Sequence, residues 1–385
     1  MKLNDCESSC GMKGPETTDY AQTCVPVLTT GPDVYDLYTE GDVLYGAMLA
    51  SIAAARSTVR LESYIFADDE IGRRFSNALD ARAQAGIDVR VHFDSAGSLF
   101  RGSRRLARRM RESGVQVRRF HRWSWREPLR YNRRNHRKLL VVDGEHAYLG
   151  GYNIHRESSA AEFGDKRWRD THIRVCGPLA AQAAGLFDAF WRGDRRWLPT
   201  EHAPMSSVLL PNHTRTCRHR LRCVFDQMFG AATVRVDLTT PYFVPDYRTQ
   251  HRLIEAALRG VEVRLLVPAK SDVPLARWAA RASYAVLMHA GVRIFEYSPR
   301  MLHAKTAVVD GSWTTIGTAN LDYRSFFLNY ELNLVSRNPD LCKRLQAQFE
   351  EDLAQSREVT AVSWPKRPSI ERVYEAVGWV ARRWL

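Results

Sequence analysis

Residues 136–153 read HRKLLVVDGEHAYLGGYN. The run LLVV at 139–142 is apolar at every position, which suits a short strand buried on both faces. His136 and Lys138 precede it two residues apart, so an extended chain turns both to one side. Asp143-Gly144 closes the strand as a turn. A His and a Lys side by side at a strand end make a place to hold an anion. One such stretch would be an isolated hint, but residues 303–320 repeat it as HAKTAVVDGSWTTIGTAN.

The shared pattern is H-x-K-x4-D-x6-G-x-x-N, and the equivalent positions are each 167 residues apart. Lys is scarce, eight residues against 48 Arg, yet both copies use it. The flanking elements repeat as well. Strands at 59–66, 87–93 and 115–120 alternate with helices at 42–56, 71–85 and 99–112. In the second half, strands at 233–239, 261–267 and 292–297 alternate with helices at 251–259 and 276–290. Gly86 and Gly260, then Gly114 and Gly291, end matching helices. The expected fold is α/β: two similar α/β/α-layered halves, related by a pseudo-two-fold axis, with the active site between them. The expected divisions are an arm at 1–41, a first half at 42–205, a second at 206–355 and a C-terminal amphipathic segment at 356–385, which includes a helix-spaced apolar stripe from Ile370. That stripe suits either a membrane interface or docking on its own domain.

The 385 residues carry a net charge of +13. Residues 101–138 alone hold fifteen Lys/Arg against two Glu and run straight into His136. This predicts a surface for a polyanion, either an anionic membrane or nucleic acid. Arg105, Arg109, Trp123, Trp125 and Arg134 are the expected membrane or headgroup contacts, since Trp among Arg suits an interfacial position. Bases stacking beside Arg would use the same mixture. Seven scattered Cys imply no disulfide framework and favour a reducing compartment. His213, Cys217, His219 and Cys223 are close together but match no familiar zinc spacing, so no metal is expected. The first thirty residues lack the apolar core of a signal peptide. The run at 45–55 falls far short of the roughly 18 residues needed to span a bilayer.

The doubled motif resembles that of the phospholipase D superfamily, and the resemblance extends from about residue 42 to 355. Residues 59–69, WRDTH (168–172), TPYFVP (240–245) and NYELN (329–333) are most similar to bacterial cardiolipin synthases. The likeness is to the shorter kind, without two leading transmembrane helices. It implies a catalytic set of His136, Lys138, Asp143, His303, Lys305 and Asp310. One His attacks phosphorus to form a phosphohistidine, and the other serves as acid and base. By analogy the attacker is His136, although symmetry alone leaves the two nearly even. The lysines offset phosphate charge, and Asn153, Asn320 and Thr318 donate to phosphate oxygens. Gly151, opposite Thr318, offers no side chain. The expected His-orienting acceptors are Asp170, 34 residues after His136, and Glu331, 28 after His303. Asp143 and Asp310 are expected to secure the motif loops. Among other histidines near the first motif (His121, His146, His155, His172), His172 stands out by its closeness to Asp170.

No cofactor is implied. The implied reaction makes cardiolipin from phosphatidylglycerol as both donor and acceptor. The alternatives are phospholipid hydrolysis to phosphatidic acid, or a phosphodiesterase or nuclease of the same superfamily. The expected partners are phosphatidylglycerol and a membrane surface, the cytoplasmic face of a bacterial inner membrane bound peripherally. Nucleic acid is not the expected partner, and the oligomeric state stays open. A binding-only protein is disfavoured by the intact His, Lys, Asp and Asn of both copies.

Overall fold

The computed structural model describes residues 28, 35–98, 101–120, 132–194, 206–212 and 214–382. Two mixed sheets carry the molecule. The first comprises β1 (Tyr35–Tyr38), β2 (Thr58–Ser63), β3 (Asp88–Asp94), β4 (Gln116–Phe120), β5 (Leu139–Val142), β6 (His146–Gly150) and β7 (His172–Cys176). Next come β8 (Ser207–Pro211), β9 (Arg235–Thr239), β10 (Phe243–Val244), β11 (Glu262–Pro268), β12 (Arg293–Tyr297), β13 (Thr306–Val309), β14 (Trp313–Gly317), β15 (Leu321–Asp322), β16 (Leu332–Ser336) and β17 (Ser356–Val359). Strands β10 and β15 form a small parallel pair, and the others build the second sheet.

The sheet orders are β1-β7-β6-β5-β2-β3-β4 and β17-β12-β11-β9-β13-β14-β16-β8. Apart from the added edge strand β17, they are the same order. A parallel trio (β2, β3, β4 or β9, β11, β12) meets an antiparallel run that begins with the motif strand, β5 or β13. The chain thus forms the two similar α/β halves that its repeat implies.

The apolar motif strands lie between two cores. Leu140 and Val142 face the first half's own helices, packing with Leu44, Ile52, Phe75 and Leu106. Leu139 and Val141 face the other way, into a core shared with Val308, Ile316, Leu332 and Leu334 of the second half. The halves are therefore joined through apolar packing. The helix Pro178–Arg192 lies in this seam and buries eight residues. It is apolar around much of its circumference, which explains why one-sided periodicity did not mark it.

Other differences have local causes. The first sheet begins at Tyr35, ahead of the expected division at 42, and β17 carries the second sheet to 359. The helix expected at 276–290 is two, Pro274–Ala282 and Tyr284–His289. They part at Ser283, whose hydroxyl donates back to the Ala280 carbonyl at 2.7 Å. Cys176, Cys217 and Cys342 are free thiols, but Cys223 is disulfide-bonded, which the scattered cysteines did not suggest. No described helix is long and apolar enough to cross a membrane.

Candidate active site

The two motif strands place their histidines at one cavity of about 490 Å³, lined by Tyr64, Arg134, His136, Asn153, Trp168, Tyr242, Asp272, His303, Asn320, Asp322 and Arg324, among others. Backbone pairing between halves sets this meeting. His136 N donates to the Tyr330 carbonyl at 2.9 Å, and Tyr330 N donates to the Arg134 carbonyl at 2.8 Å. The other half repeats the arrangement: His303 N donates to the Arg169 carbonyl at 2.7 Å, and Arg169 N to the Met301 carbonyl at 2.8 Å. Each segment leading to a His therefore zips to the opposite half's segment leading to a carboxylate.

The orienting pairs are consequently exchanged. His136 Nδ1 lies 2.9 Å and 3.1 Å from the two carboxylate oxygens of Glu331. His303 Nδ1 lies 2.6 Å from Asp170 Oδ2. Neither His uses the acceptor that follows it in its own half. A carboxylate on Nδ1 fixes that nitrogen as the donor and leaves Nε2 with a free lone pair. Both rings border the cavity, so both Nε2 atoms serve one space.

Each Lys folds back on its own His. Lys138 Nζ donates to the His136 carbonyl at 2.7 Å. Lys305 donates to the His303 carbonyl, and its ammonium lies 3.2 Å from His303 Nε2. Burial, then the Lys305 charge, hold His303 down to about 4 despite Asp170. Burial also lowers His136; the attraction of Glu331 opposes this, and the Lys138 and Lys305 charges add to it. Burial brings Lys305 down to about 8 and Lys138 well below its ordinary value. At neutral pH the site therefore holds two neutral imidazoles.

Asp143 and Asp310 touch none of this. Each follows a four-residue strand, about 13 Å beyond the His and Lys end. Asp143 accepts from the backbone N–H of Arg56, Ser57 and Thr58 at 2.8 Å each. Asp310 does the same for Thr233, Val234 and Arg235 at 2.8–2.9 Å. With φ of 53° and 51°, they are the positive-φ non-glycine residues of the described chain. Each begins a tight turn completed by Gly144 or Gly311. They leave the catalytic set and keep the loop-securing role expected of them.

Thr318 is also reassigned. Its hydroxyl donates to Glu331 Oε2 at 2.6 Å rather than facing a phosphate. Its counterpart Gly151 leaves the space that Asp170 fills, since a Cβ there would lie 1.9 Å from Asp170 Oδ1. Asn153 and Asn320 both line the cavity. Asn153 Oδ1 accepts from Ile65 N at 3.1 Å, leaving its amide hydrogens for the cavity. Arg134 lines the cavity too, but is buried and donates to Asp94 at 3.2 Å, so it belongs to the site wall, not to an outer surface. Arg105 and Arg109 are exposed on the basic helix Ser103–Glu112, where Arg105 pairs with Asp68. Trp123, Trp125 and His213 lie outside the described residues. His172 is fully buried and neither ring nitrogen has a hydrogen-bond partner.

Several cavity residues carried no sequence signal of their own. Tyr64 stands edge-on to His136 at 5.0 Å between ring centroids, and Tyr242 edge-on to His303 at 6.2 Å. Aligning SYIF with PYFV across the halves would have paired these tyrosines. Asp272, Asp322 and Arg324 reach the cavity from loops and short elements with no repeated pattern.

Residues 48–189 and 225–353 each match the family described as cardiolipin synthase, PLD-like domain. Cardiolipin synthase A of Pseudomonas entomophila is 36% identical over 335 residues, covering 84% of this chain and 69% of that one. A cardiolipin synthase of Staphylococcus aureus is 32% identical over 357 residues, covering 88% and 71%. In fold, the chain is similar to the crystal structure of phosphatidylserine synthase from Haemophilus influenzae, with a TM-score of 0.66, 14% identity and coverage of 92% and 94%. With two domain matches, one on each sheet and its helices, the chain belongs to the cardiolipin synthase, PLD-like domain family.

Proposed function

We propose that this protein is a phosphatidyltransferase that makes cardiolipin from two molecules of phosphatidylglycerol through a phosphohistidine. The observation that carries this reading is the pair of imidazoles at one cavity, each with Nδ1 held by a carboxylate of the opposite half. The names of the relatives support the lipid substrate.

The phosphodiester anion sits between Lys138 and Lys305, with the Asn153 and Asn320 amides donating to its oxygens. Its negative charge offsets the field that holds the imidazoles neutral, so a proton enters the site with the substrate. His136 Nε2 attacks phosphorus. The P–N bond forms, the P–O bond to glycerol breaks, and His303 Nε2 gives its proton to the departing oxygen. A hydroxyl of the second phosphatidylglycerol then replaces glycerol. His303 takes the proton of that hydroxyl, its oxygen attacks phosphorus, and the P–N bond breaks. One phosphodiester replaces another, so no nucleotide is consumed. The site lies at a membrane surface, peripherally and on the cytoplasmic face.

The test is to incubate the protein with phosphatidylglycerol vesicles and, separately, with single-stranded DNA. Cardiolipin plus glycerol is the expected outcome. Phosphatidic acid alone would make it a hydrolase, and cut DNA a nuclease. His136→Ala is expected to lower cardiolipin output by about three orders of magnitude or more. Full retained output would end the mechanism.

A further inference from the structure

The helix Ser369–Ala381 has two faces with opposite assignments. Its inner face is pinned by charge and close packing. Glu371 and Glu375 both reach Arg281, at 2.7 Å and 3.4 Å, and Glu375 also holds Arg367 at 2.8 Å. Gly378 presses against the helix Pro274–Ala282, where an added Cβ would meet Ala279 N at 2.5 Å. The outer face carries Ile370, Val373, Val377 and Val380, exposed by 53%, 56%, 55% and 73%. Tyr374 and Trp379 flank them, also exposed. These positions recur every three or four residues, so they form one apolar stripe.

An apolar stripe held outward by buried ion pairs is placed there by the fold, not left over from packing. Two observations identify what covers it. The first is charge. Both acids of this helix point inward to arginines, while Arg372 on the helix and Lys366 in the turn that leads into it are exposed, so the helix's outer side is apolar and cationic without a carboxylate of its own. That combination fits an anionic lipid surface. The second is position. The supporting helix Pro274–Ala282 is the one whose Ala276, with the preceding Val273, lines the active-site cavity. A diacyl lipid keeps its chains in the bilayer, so its headgroup reaches the histidines only if the cavity mouth lies against that bilayer.

We infer that the outer face of Ser369–Ala381 lies in the headgroup layer of an anionic bilayer and seats the active-site cavity on it. This rests on the phospholipid-substrate reading above and adds the surface that delivers the substrate.

The test uses the full chain and co-sedimentation with two vesicle types, pure phosphatidylcholine and an equimolar mixture with phosphatidylglycerol. Wild type is expected to bind the mixed vesicles preferentially. Val377→Glu/Val380→Glu is expected to weaken that binding by about tenfold or more. Val234→Glu, an equally exposed valine beside the Asp310 turn, is expected to leave binding unchanged. Thermal unfolding checks that both variants are folded. Wild-type binding by the folded double variant overturns the inference. So does a change confined to self-association in sedimentation, which would make the stripe a contact between copies. Turnover of short-chain phosphatidylglycerol in solution is measured on wild type in parallel. If it fails while vesicle binding behaves as expected, the substrate reading is at fault and the docking face stands.

Discussion

The two halves share one sheet order, apart from the added β17, and differ in the layer beneath their histidines. In the first half that layer is charged. Arg137, fully buried, donates to Glu62 at 3.0 Å and lies 3.7 Å over the Phe190 ring. Asp94 accepts from Arg134 at 3.2 Å and from Asn135 N at 2.9 Å. His92 stands 3.4 Å from Glu62. The strand registers put Thr239 where Glu62 stands and Leu266 where His92 stands, while the constant motif offset puts Ala304 where Arg137 stands. The second half fills that layer with an apolar cluster of Leu266, Phe295, Leu302 and Ala304. Backbone symmetry therefore does not require symmetric chemistry. The layer under His136 is held by ion pairs, while that under His303 is mostly apolar, with the buried Arg169–Asp352 pair at 2.7 Å beside it.

The largest test of the comparison is the exchange of carboxylates. Glu331→Gln is expected to stop His136 from forming the covalent intermediate, although Glu331 lies in the other half. Asp170→Asn is expected to let the intermediate form and then slow its release. Each should lower turnover by about 10²–10⁴-fold. Mass spectrometry of protein quenched with phosphatidylglycerol distinguishes them, and an adduct accumulating in Glu331→Gln instead would reverse the roles of the histidines.

The charged layer is the next target. Arg137→Ala leaves Glu62 buried without its strongest partner and is expected to cost about 3–5 kcal/mol in denaturant unfolding. Replacing both Arg137 and Glu62 with leucine should recover much of that loss. If Arg137→Ala unfolds like wild type, the ion pair does not hold the first half's loop.

Gly151 and Thr318 occupy equivalent positions with unlike duties. Gly151→Ala pushes on Asp170 and should reduce kcat by about 10–100-fold through His303. Thr318→Ala removes one of several donors to Glu331 and should cost only several-fold, because Ser325 still donates to that carboxylate at 3.0 Å. Equal losses would show that the two carboxylates are held alike.

The smallest effect concerns His172, whose register partner in the second half is Asn333. Burial lowers His172 to about 3. Its unfolded value is near 6.5, so the unfolded chain binds the proton first as pH falls. The stability it permits is complete above about pH 6.5 and is lost progressively down to about pH 3. Between pH 7 and 5 this amounts to about 2 kcal/mol. His172→Asn should flatten the loss by that much, with His303 and His136 supplying the remainder. An unchanged slope between those pH values would mean that His172 is not the group responsible.

The repeat and its two-residue period disclosed the motif strands, their burial on both faces and the pairing of the halves. Side-chain duties were harder to read. Spacings of 34 and 28 residues suggested that each His is served from its own half, because nothing in a linear spacing records which segment crosses the seam. Thr318 looked like a phosphate donor because its position follows the motif glycine, yet Glu331 takes its hydroxyl. Glu62 and His92 alternate with apolar residues, a pattern that ordinarily marks an outward polar face. Both instead face a layer closed by Arg137 and Phe190. The helix Pro178–Arg192 escaped notice because Ala181, Ala184 and Gly185 fill its outer side too, so its sequence shows little contrast between faces.

The zipped segments around Tyr330 and Arg169 also bear on how such a chain could arise. Cut in two, each half would carry a histidine without its carboxylate and a carboxylate without its histidine. Neither half could then turn over substrate alone, and activity would return only when two halves re-formed both contacts. Joining the halves in one polypeptide makes that encounter permanent and frees each copy to diverge. An Asp in one place and a Glu in the other, a Gly facing a Thr, and an ionic layer opposite an apolar one are the kinds of specialisation that a permanently paired catalyst can accumulate.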